Sequence, residues 1–561
     1  MTPTPTAANH TGPGLDAKNP TDGGAVRPLS AGQYGIALQQ QRAGDSPIFN
    51  VPAAIEIIGD LDVASLRRSL SELLRRHDVL RSRLVQNGPT LAQVIDEPRP
   101  APMTVHDLQD RPEEQREIAA RALLNEEAAR PFDLYTEHGL RLVLVVLAPR
   151  RHVFFWIMHH LYCDGWSKSV FARDLSALYA GRDGELPALT VDYGDFVQAQ
   201  AAAAADEDHL AYWQHQLEGI ATLSGVRHDR HRAPGTQPRG TEVPLRLSAI
   251  DRARLAALAR THGATTFMVL QAALAVLMHH ASGQSDIVIS VPYGSRPATA
   301  FEPLIGFFVN VLALRSRIVD AMTFEELMGQ VRDTALDGYE HHAVPFQRVV
   351  EQVGAAAVLQ QTSLAFANLP YQDIALQGAE VRGFPVTRVD IRYELEWHVW
   401  EDARSGGLGG RLIYRSDLFD ESTATALATA YQQLLAAIAV DASRPISDLA
   451  TALPISAARP ADHDPRTGTP AGDAPTPPRT PTEQAVHDIW TDLLHRDDIG
   501  VFEDFFEIGG NSLLLAFLSA RLREDLDTEL TIQRLVDHPT VAAIAMAIDG
   551  AGTSAGDTSG R

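Results

Sequence analysis

Between residues 456 and 481 the chain carries seven prolines in 26 positions, Pro475, Pro477 and Pro478 among them. Proline fixes φ and lacks the backbone N–H, so this stretch can sustain neither a helix nor a central strand. It reads as a semi-extended linker. The 561 residues are thereby cut into a large body, about 25–455, and a small unit, 482–550, with a disordered tail expected over 551–561. Residues 1–24 hold four prolines, four glycines and five threonines with almost nothing to bury, the composition of a disordered leader.

Charge and residue usage narrow the function classes. Acidic residues number 71 against 48 basic ones, a net charge of −23, which argues against the basic stripe of a nucleic-acid binder. Lys18 and Lys168 are the only lysines, and no G-x-x-x-x-G-K-S/T exists to cradle phosphates. The single cysteine, Cys163, forbids an intramolecular disulfide, as suits a reducing compartment. No basic segment followed by an apolar run opens the chain, so a secretory signal is not expected and a cytoplasmic location is. Thr265 to Met278 is about fourteen mostly apolar residues where roughly twenty span a bilayer, so it reads as a buried core helix. Neither a nucleic acid nor a membrane is expected as a partner. The acidity is concentrated: residues 481–550 hold 14 acidic and 4 basic side chains.

The body alternates strand-like and helix-like stretches, the pattern of an α/β fold. Ala54 to Ile58 reads as a strand. Asp62 can cap a helix with Val63, Leu66, Leu70, Leu73 and Leu74 on one face. Val153 to Met158 is a continuous apolar run ending in a polar turn, and a helix is expected from about Ser167 to a stop at Gly181. Further strands are expected at Ile287–Val291 and Arg411–Tyr414, and the alanine run 201–205 is placed where two lobes could meet. In the small unit Thr482 is expected to cap a helix carrying Val486, Ile489, Trp490, Leu493 and Leu494. A second helix should begin near Ser512, with short ones around 532–536 and 541–548.

The strongest local signal is His159-His160-Leu161-Tyr162-Cys163-Asp164-Gly165, at a strand end and a helix start. Adjacent histidines leaving a strand point to opposite sides, so one of them faces a cleft. Taken alone the pair also fits a structural loop with satisfied side chains. A zinc site needs further ligands at suitable spacing, and none stands out. Cys163 in an apolar turn fits packing better than nucleophilic chemistry.

This stretch resembles the active-site motif of the condensation domains of nonribosomal peptide synthetases, which share a two-lobed chloramphenicol-acetyltransferase-like α/β fold. Six other segments resemble that family's motifs in its order: Leu29–Gln33, Arg76–Arg81, Pro292–Arg296, Ile305–Asn310, His341–Phe346 and Arg415–Phe419. The resemblance covers about 28–420 and implies an N-lobe over 25–203 and a C-lobe over 204–455. The segment Asp504 to Leu514 (DFFEIGGNSLL) resembles the phosphopantetheine attachment site of peptidyl carrier proteins, small four-helix domains. Asn511 stands where many members have aspartate or histidine. Ser512 also fits a plain helix N-cap, and the two readings agree.

The resemblance implies amide-bond formation between a donor thioester and an aminoacyl group held by 4'-phosphopantetheine on Ser512. His160 would act on the amine, as base or as positioning group; His159 and Asp164 would be mainly structural, with Asp164 paired to Arg296. Gly165 would let its N–H approach the thioester. Asn310 and Phe308 would line the substrate channel. The expected partners are an upstream acyl or peptidyl carrier, a stand-alone adenylation enzyme and a phosphopantetheinyl transferase. Three alternatives share the fold: an epimerisation domain, disfavoured because it usually follows its carrier; an acyltransferase with a free amine or alcohol as acceptor; and a non-catalytic recruitment domain, which the intact histidine motif disfavours.

Overall fold

The computed structural model describes residues 25–455 and 476–554, apart from isolated positions and short stretches, among them 221–224, 231–238, 368–372, 387–390 and 509–517. The leader, most of the proline-rich linker and residues 555–561 therefore lie outside the described residues, as does Ser512.

Two mixed α/β lobes make up the body. In the first, five strands run in the order Ala379–Gly383, Asn50–Gly59, Arg151–His159, Leu140–Ala148, Met103–Asp107. Arg151–His159 is antiparallel to both neighbours, and eight of its nine residues are buried. Burial on both faces explains its unbroken apolar run, VFFWIM, in place of an alternating pattern. A three-stranded sheet, Ala25–Pro28, Thr90–Ile95 and Ser82–Asn87, lies in the same lobe. The second lobe has six strands in the order Val309–Arg317, Asp286–Gly294, Thr362–Ala367, Leu395–Glu401, Leu408–Arg415, Gly240–Leu247.

The two lobes exchange chain. Ala379–Gly383 follows the strand Thr362–Ala367 of the second sheet, yet pairs antiparallel with Asn50–Gly59 of the first, Ala379 opposite Gly59. Phe301, Leu304, Ile305, Phe307 and Phe308, together with Ile374, Leu376 and Phe384, belong to the first lobe's core.

Local sequence explains the helix starts. Asp62 caps Val63–Arg76, accepting the Ser65 N–H, with Leu66, Leu70, Leu73 and Leu74 buried as the spacing predicts. Thr265 caps Thr266–Ser282, which fills the second core and ends at Gly283, φ 70°, a left-handed position suited to glycine. Its length and burial fit the core-helix expectation. Among the described residues Glu421–Val440 is long and apolar enough to cross a membrane, and it too lines the second core, with Leu427, Tyr431, Leu434 and Ile438 buried. The helix after the histidines begins at Gly165, two residues before the expected Ser167, because Asp164 forms a capping box with Ser167.

The small unit has its own core of Val486, Ile489, Trp490, Val501, Phe505, Leu518, Leu522, Val541 and Ile544. Its first helix, Pro481–Leu494, starts at proline, which suits the first helical position. Thr480 is its cap, accepting the Glu483 N–H at 3.0 Å, while the expected cap Thr482 instead donates to Asp549 at 2.7 Å. The linker's end is bound to this unit, with the Val501 N–H donating to the Thr476 carbonyl at 2.9 Å. The last helix runs Val541–Ser554, past the expected end at 548 and into the start of the expected tail.

Candidate active site at the lobe junction

The strand Arg151–His159 delivers both histidines to the boundary between the lobes, and its end is pinned. The His159 N–H donates to Gly139 O and the His160 N–H to Phe49 O, each at 2.8 Å. Their side chains then separate. His159 is 1% exposed and turns into the first core, beside the rings of Phe49 and Phe132. Its Nδ1 accepts the Leu161 N–H at 3.2 Å, so Nε2 carries the hydrogen and donates to Gln40 Oε1 at 3.3 Å. Burial, then the neighbouring charges of His160 and Arg141, hold its pKa down to about 3.

His160 faces the second motif segment, its ring edge-on to Phe307 with centroids 5.2 Å apart. Nδ1 lies 2.7 Å from the Cys163 carbonyl, which can only accept, so Nδ1 holds the hydrogen and Nε2 keeps its lone pair. Burial pushes its pKa down to about 3, helped by the charges of Arg392 and Lys168 and opposed by the bond to Cys163. The imidazole is a neutral hydrogen-bond acceptor across the physiological range. Cys163 itself is fully buried, its sulfur 3.7 Å from the His159 carbonyl, which fits the packing role.

Asp164 is the clamp between the lobes. Its carboxylate, 2% exposed, accepts from Arg296 Nη1 and Nη2 at 3.0 and 3.2 Å, from the Ser167 N–H at 2.7 Å and from the Phe308 N–H at 3.3 Å. The Ser167 hydroxyl, fully buried, lies 2.7 Å from Asp164 Oδ1 and receives the Gly306 N–H at 3.1 Å. Trp166 adds a bond from its indole N–H to Glu302 O at 2.8 Å. The Arg296 guanidinium also sits over the Phe308 ring, 4.2 Å from its centroid. Gly165 opens the helix and is exposed, so its N–H is one that a helix start leaves without an intrahelical acceptor.

Two expected channel residues do other work. Asn310 is 7% exposed and its amide is fully occupied by the His341–Phe346 segment. It donates to His342 O and Val344 O at 2.8 and 2.7 Å and accepts the Phe346 N–H at 2.8 Å. Phe308 is 1% exposed, packed among Tyr193, Phe196 and Phe301. Its neighbour Phe307 is the ring that meets the histidine.

Sequence reasoning assigns no site role to Gln33, Gln40, Ser167 or Tyr193, although Gln33 ends a motif segment and Ser167 marks the expected helix start. Gln33 Nε2 donates to the Leu161 carbonyl at 3.1 Å, bracing the histidine turn from the opening helix Ala31–Ala43. The aromatic pair in Val191–Phe196 (VDYGDF) is the signal that marks Tyr193.

Ser512 lies outside the described residues, but both flanks of its motif are anchored. Phe505 is fully buried against Trp490, centroids 4.9 Å apart, and its N–H bonds Pro539 O at 2.7 Å. Leu518 and Leu522 are fully buried on the other side.

Comparison with known proteins assigns both parts of the chain to families. The family model "Condensation domain" matches residues 25–458, and "Phosphopantetheine attachment site" matches 484–548. Chondramide synthase of Chondromyces crocatus is 31% identical over 436 residues, covering 76% of this chain and 11% of that protein. Isonitrile lipopeptide synthase of Mycobacterium tuberculosis is 31% identical over 467 residues, covering 79% of this chain and 18% of that protein. The chain thus spans under a fifth of either relative. Among solved structures, the X-domain from teicoplanin biosynthesis superposes with a TM-score of 0.68 at 27% identity, covering 75% of this chain and 97% of that one. The chain belongs to the condensation-domain family of nonribosomal peptide synthetases and continues into a phosphopantetheine carrier domain.

Proposed function

We propose that this chain forms an amide bond between a donor acyl or peptidyl thioester, brought by a separate carrier, and an aminoacyl group held on Ser512. The observation that carries the reading is the tautomer of His160: Nδ1–H is committed to the Cys163 carbonyl, leaving the Nε2 lone pair for a substrate N–H. When bound, the phosphopantetheine arm supplies the thioester that holds the acceptor within reach. An α-amine of pKa near 8 is about one-tenth neutral at pH 7, so free amine is available without strong base catalysis. An imidazole held to a pKa of about 3 is a weak proton acceptor. It suits orienting the amine by accepting its hydrogen bond, and orientation can contribute about 7–11 kcal/mol in favourable cases. As the C–N bond forms and the C–S bond breaks, one amine proton is lost and the departing sulfur ends as a thiol. The Gly165 N–H, at the positive end of its helix, would stabilise the developing oxyanion.

The partners this reading requires are a phosphopantetheinyl transferase, an enzyme that loads the acceptor amino acid and a charged donor carrier. The test is to modify the full chain in vitro, load Ser512 with candidate amino acids, add charged donor carriers, and read the intact mass and the ejected arm. Cargo gained as an amide on the carrier supports the proposal, and His160→Ala should abolish it. Cargo released into solution would instead favour an acyltransferase with a free acceptor.

A further inference from the structure

The ring that confines His160 is itself held from a distance. Phe307 is wedged between His160 and the opening helix, so tightly that a Cβ on Gly32 would come within 2.6 Å of its ring. Its carbonyl accepts the Tyr193 hydroxyl at 2.6 Å. Tyr193 begins the helix Tyr193–Ala204 and is 4% exposed. A carbonyl cannot donate, so the phenol's hydrogen goes to Phe307, and the Ser30 hydroxyl 3.0 Å away donates to the phenol oxygen. Ser30 caps Ala31–Ala43 through its lone pair, accepting the Gln33 N–H at 3.1 Å. The Tyr193 ring also rests on Gly306, where a Cβ would sit 2.4 Å from its Cδ2, and on Phe308, centroids 5.1 Å apart. One helix cap therefore governs both sides of the histidine: through Gln33 the Leu161 carbonyl, through Tyr193 the Phe307 ring.

We propose that Tyr193 is a positioning residue for His160: its hydroxyl, held by Ser30 and bound to the Phe307 carbonyl, fixes the ring that sets the imidazole's orientation. The proposal rests on the role given to His160 above. Tyr193 touches no reacting atom, and its effect is transmitted by a residue 114 positions away in sequence. Loss of the hydroxyl leaves the Phe307 carbonyl without this donor and lets the 305–308 segment relax away from the imidazole. The amine acceptor then samples several orientations, which lowers turnover and leaves substrate affinity nearly unchanged.

A readout independent of cargo is carbethoxylation of His160 by diethyl pyrocarbonate in the full chain at pH 7, followed by peptide mass spectrometry. Tyr193→Phe should accelerate modification of His160 by about three- to tenfold, the range over which one net hydrogen bond shifts an equilibrium. Buried His159 should stay unreactive in the same sample. Amide formation should fall by a similar factor with KM unchanged. Phe307→Leu should reproduce both effects, and the double variant should be no worse than Phe307→Leu alone, because Tyr193 acts through that ring. A wild-type labelling rate in Tyr193→Phe, or additive effects in the double variant, overturns the proposal. Turnover surviving in His160→Ala would remove the catalytic role of His160, while the labelling rate would still judge whether Tyr193 holds the ring.

Discussion

Replacing Arg296 with alanine withdraws a charged partner from a carboxylate that has almost no access to water. Asp164 is 2% exposed and would keep the Ser167 and Phe308 N–H groups while losing both guanidinium bonds. Breaking a buried ion pair from one side costs about 3–5 kcal/mol, and the surviving donors place this case near the lower end, about 3. Unfolding entropy of about 2.1 cal/mol/K per residue gives a body the size of residues 25–458 about 0.9 kcal/mol per kelvin. The expected loss of Tm is therefore only about 3 °C, and the urea midpoint is the more sensitive assay. The thermodynamic cycle makes the claim specific. Asp164→Asn retains an acceptor without the charge, so Asp164→Asn/Arg296→Ala should be more stable than Arg296→Ala alone by about 1–2 kcal/mol. Effects that add to within about 0.5 kcal/mol would show that the pair does not couple, and the clamp reading would be wrong. An Arg296→Ala protein as stable as wild type yet inactive would instead assign the arginine a direct catalytic part.

Other outcomes can be stated briefly. His160→Ala should retain the wild-type circular dichroism spectrum and melting transition while its rate of amide formation falls by about a hundredfold or more; near-wild-type turnover would sink the assignment. Because His160 is held down to about 3, amide formation between pH 6 and 8 should follow the acceptor amine, with no inflection near 6.5. His159 and His160 stay neutral in the fold where the unfolded chain takes protons, from about pH 6.5 downward. Stability should therefore fall as pH drops from 6.5 toward 3, and a flat urea midpoint across that window would contradict their burial. Ser512→Ala should gain no phosphopantetheine mass with a transferase and coenzyme A; a full mass gain would place the attachment elsewhere. Gly139→Ala forces a Cβ within 2.1 Å of the Tyr162 ring, and a cost of about 1–3 kcal/mol is expected in denaturant.

What the sequence disclosed here was local, and what it concealed was long-range. The run Val153–Gly165 contains its own strand, turn and helix cap, so the opposite facing of His159 and His160 follows from extended geometry alone. Phe308 is expected in the channel only from the resemblance of Ile305–Asn310 to a family motif, which does not resolve which of two adjacent phenylalanines meets the histidine. Phe308 packs against Tyr193, Phe196 and Phe301, and Phe307 meets His160. Asn310 is expected in the channel only from that same resemblance, which says nothing of what its amide bonds. Its partners, His342, Val344 and Phe346, lie more than thirty residues on. Thr482 and Thr480 are equally good caps by composition, and only the register of Pro481 at the first helical position separates them. The return strand Ala379–Gly383 carries no mark of its destination, since AEVRG would pair at many sheet edges.

That return strand also sets a timetable for biosynthesis. Gly59 emerges from the ribosome 320 residues before its partner Ala379, an interval of roughly 16–64 s at 5–20 residues per second. Throughout it the strand Asn50–Gly59, with Ile55 and Ile57 destined for the core, keeps one edge unpaired. An apolar edge left open for that long invites pairing with another nascent chain. The first lobe is thus made early and finished late, and its yield in the cell should depend on how well that edge is shielded until the second lobe arrives to close it.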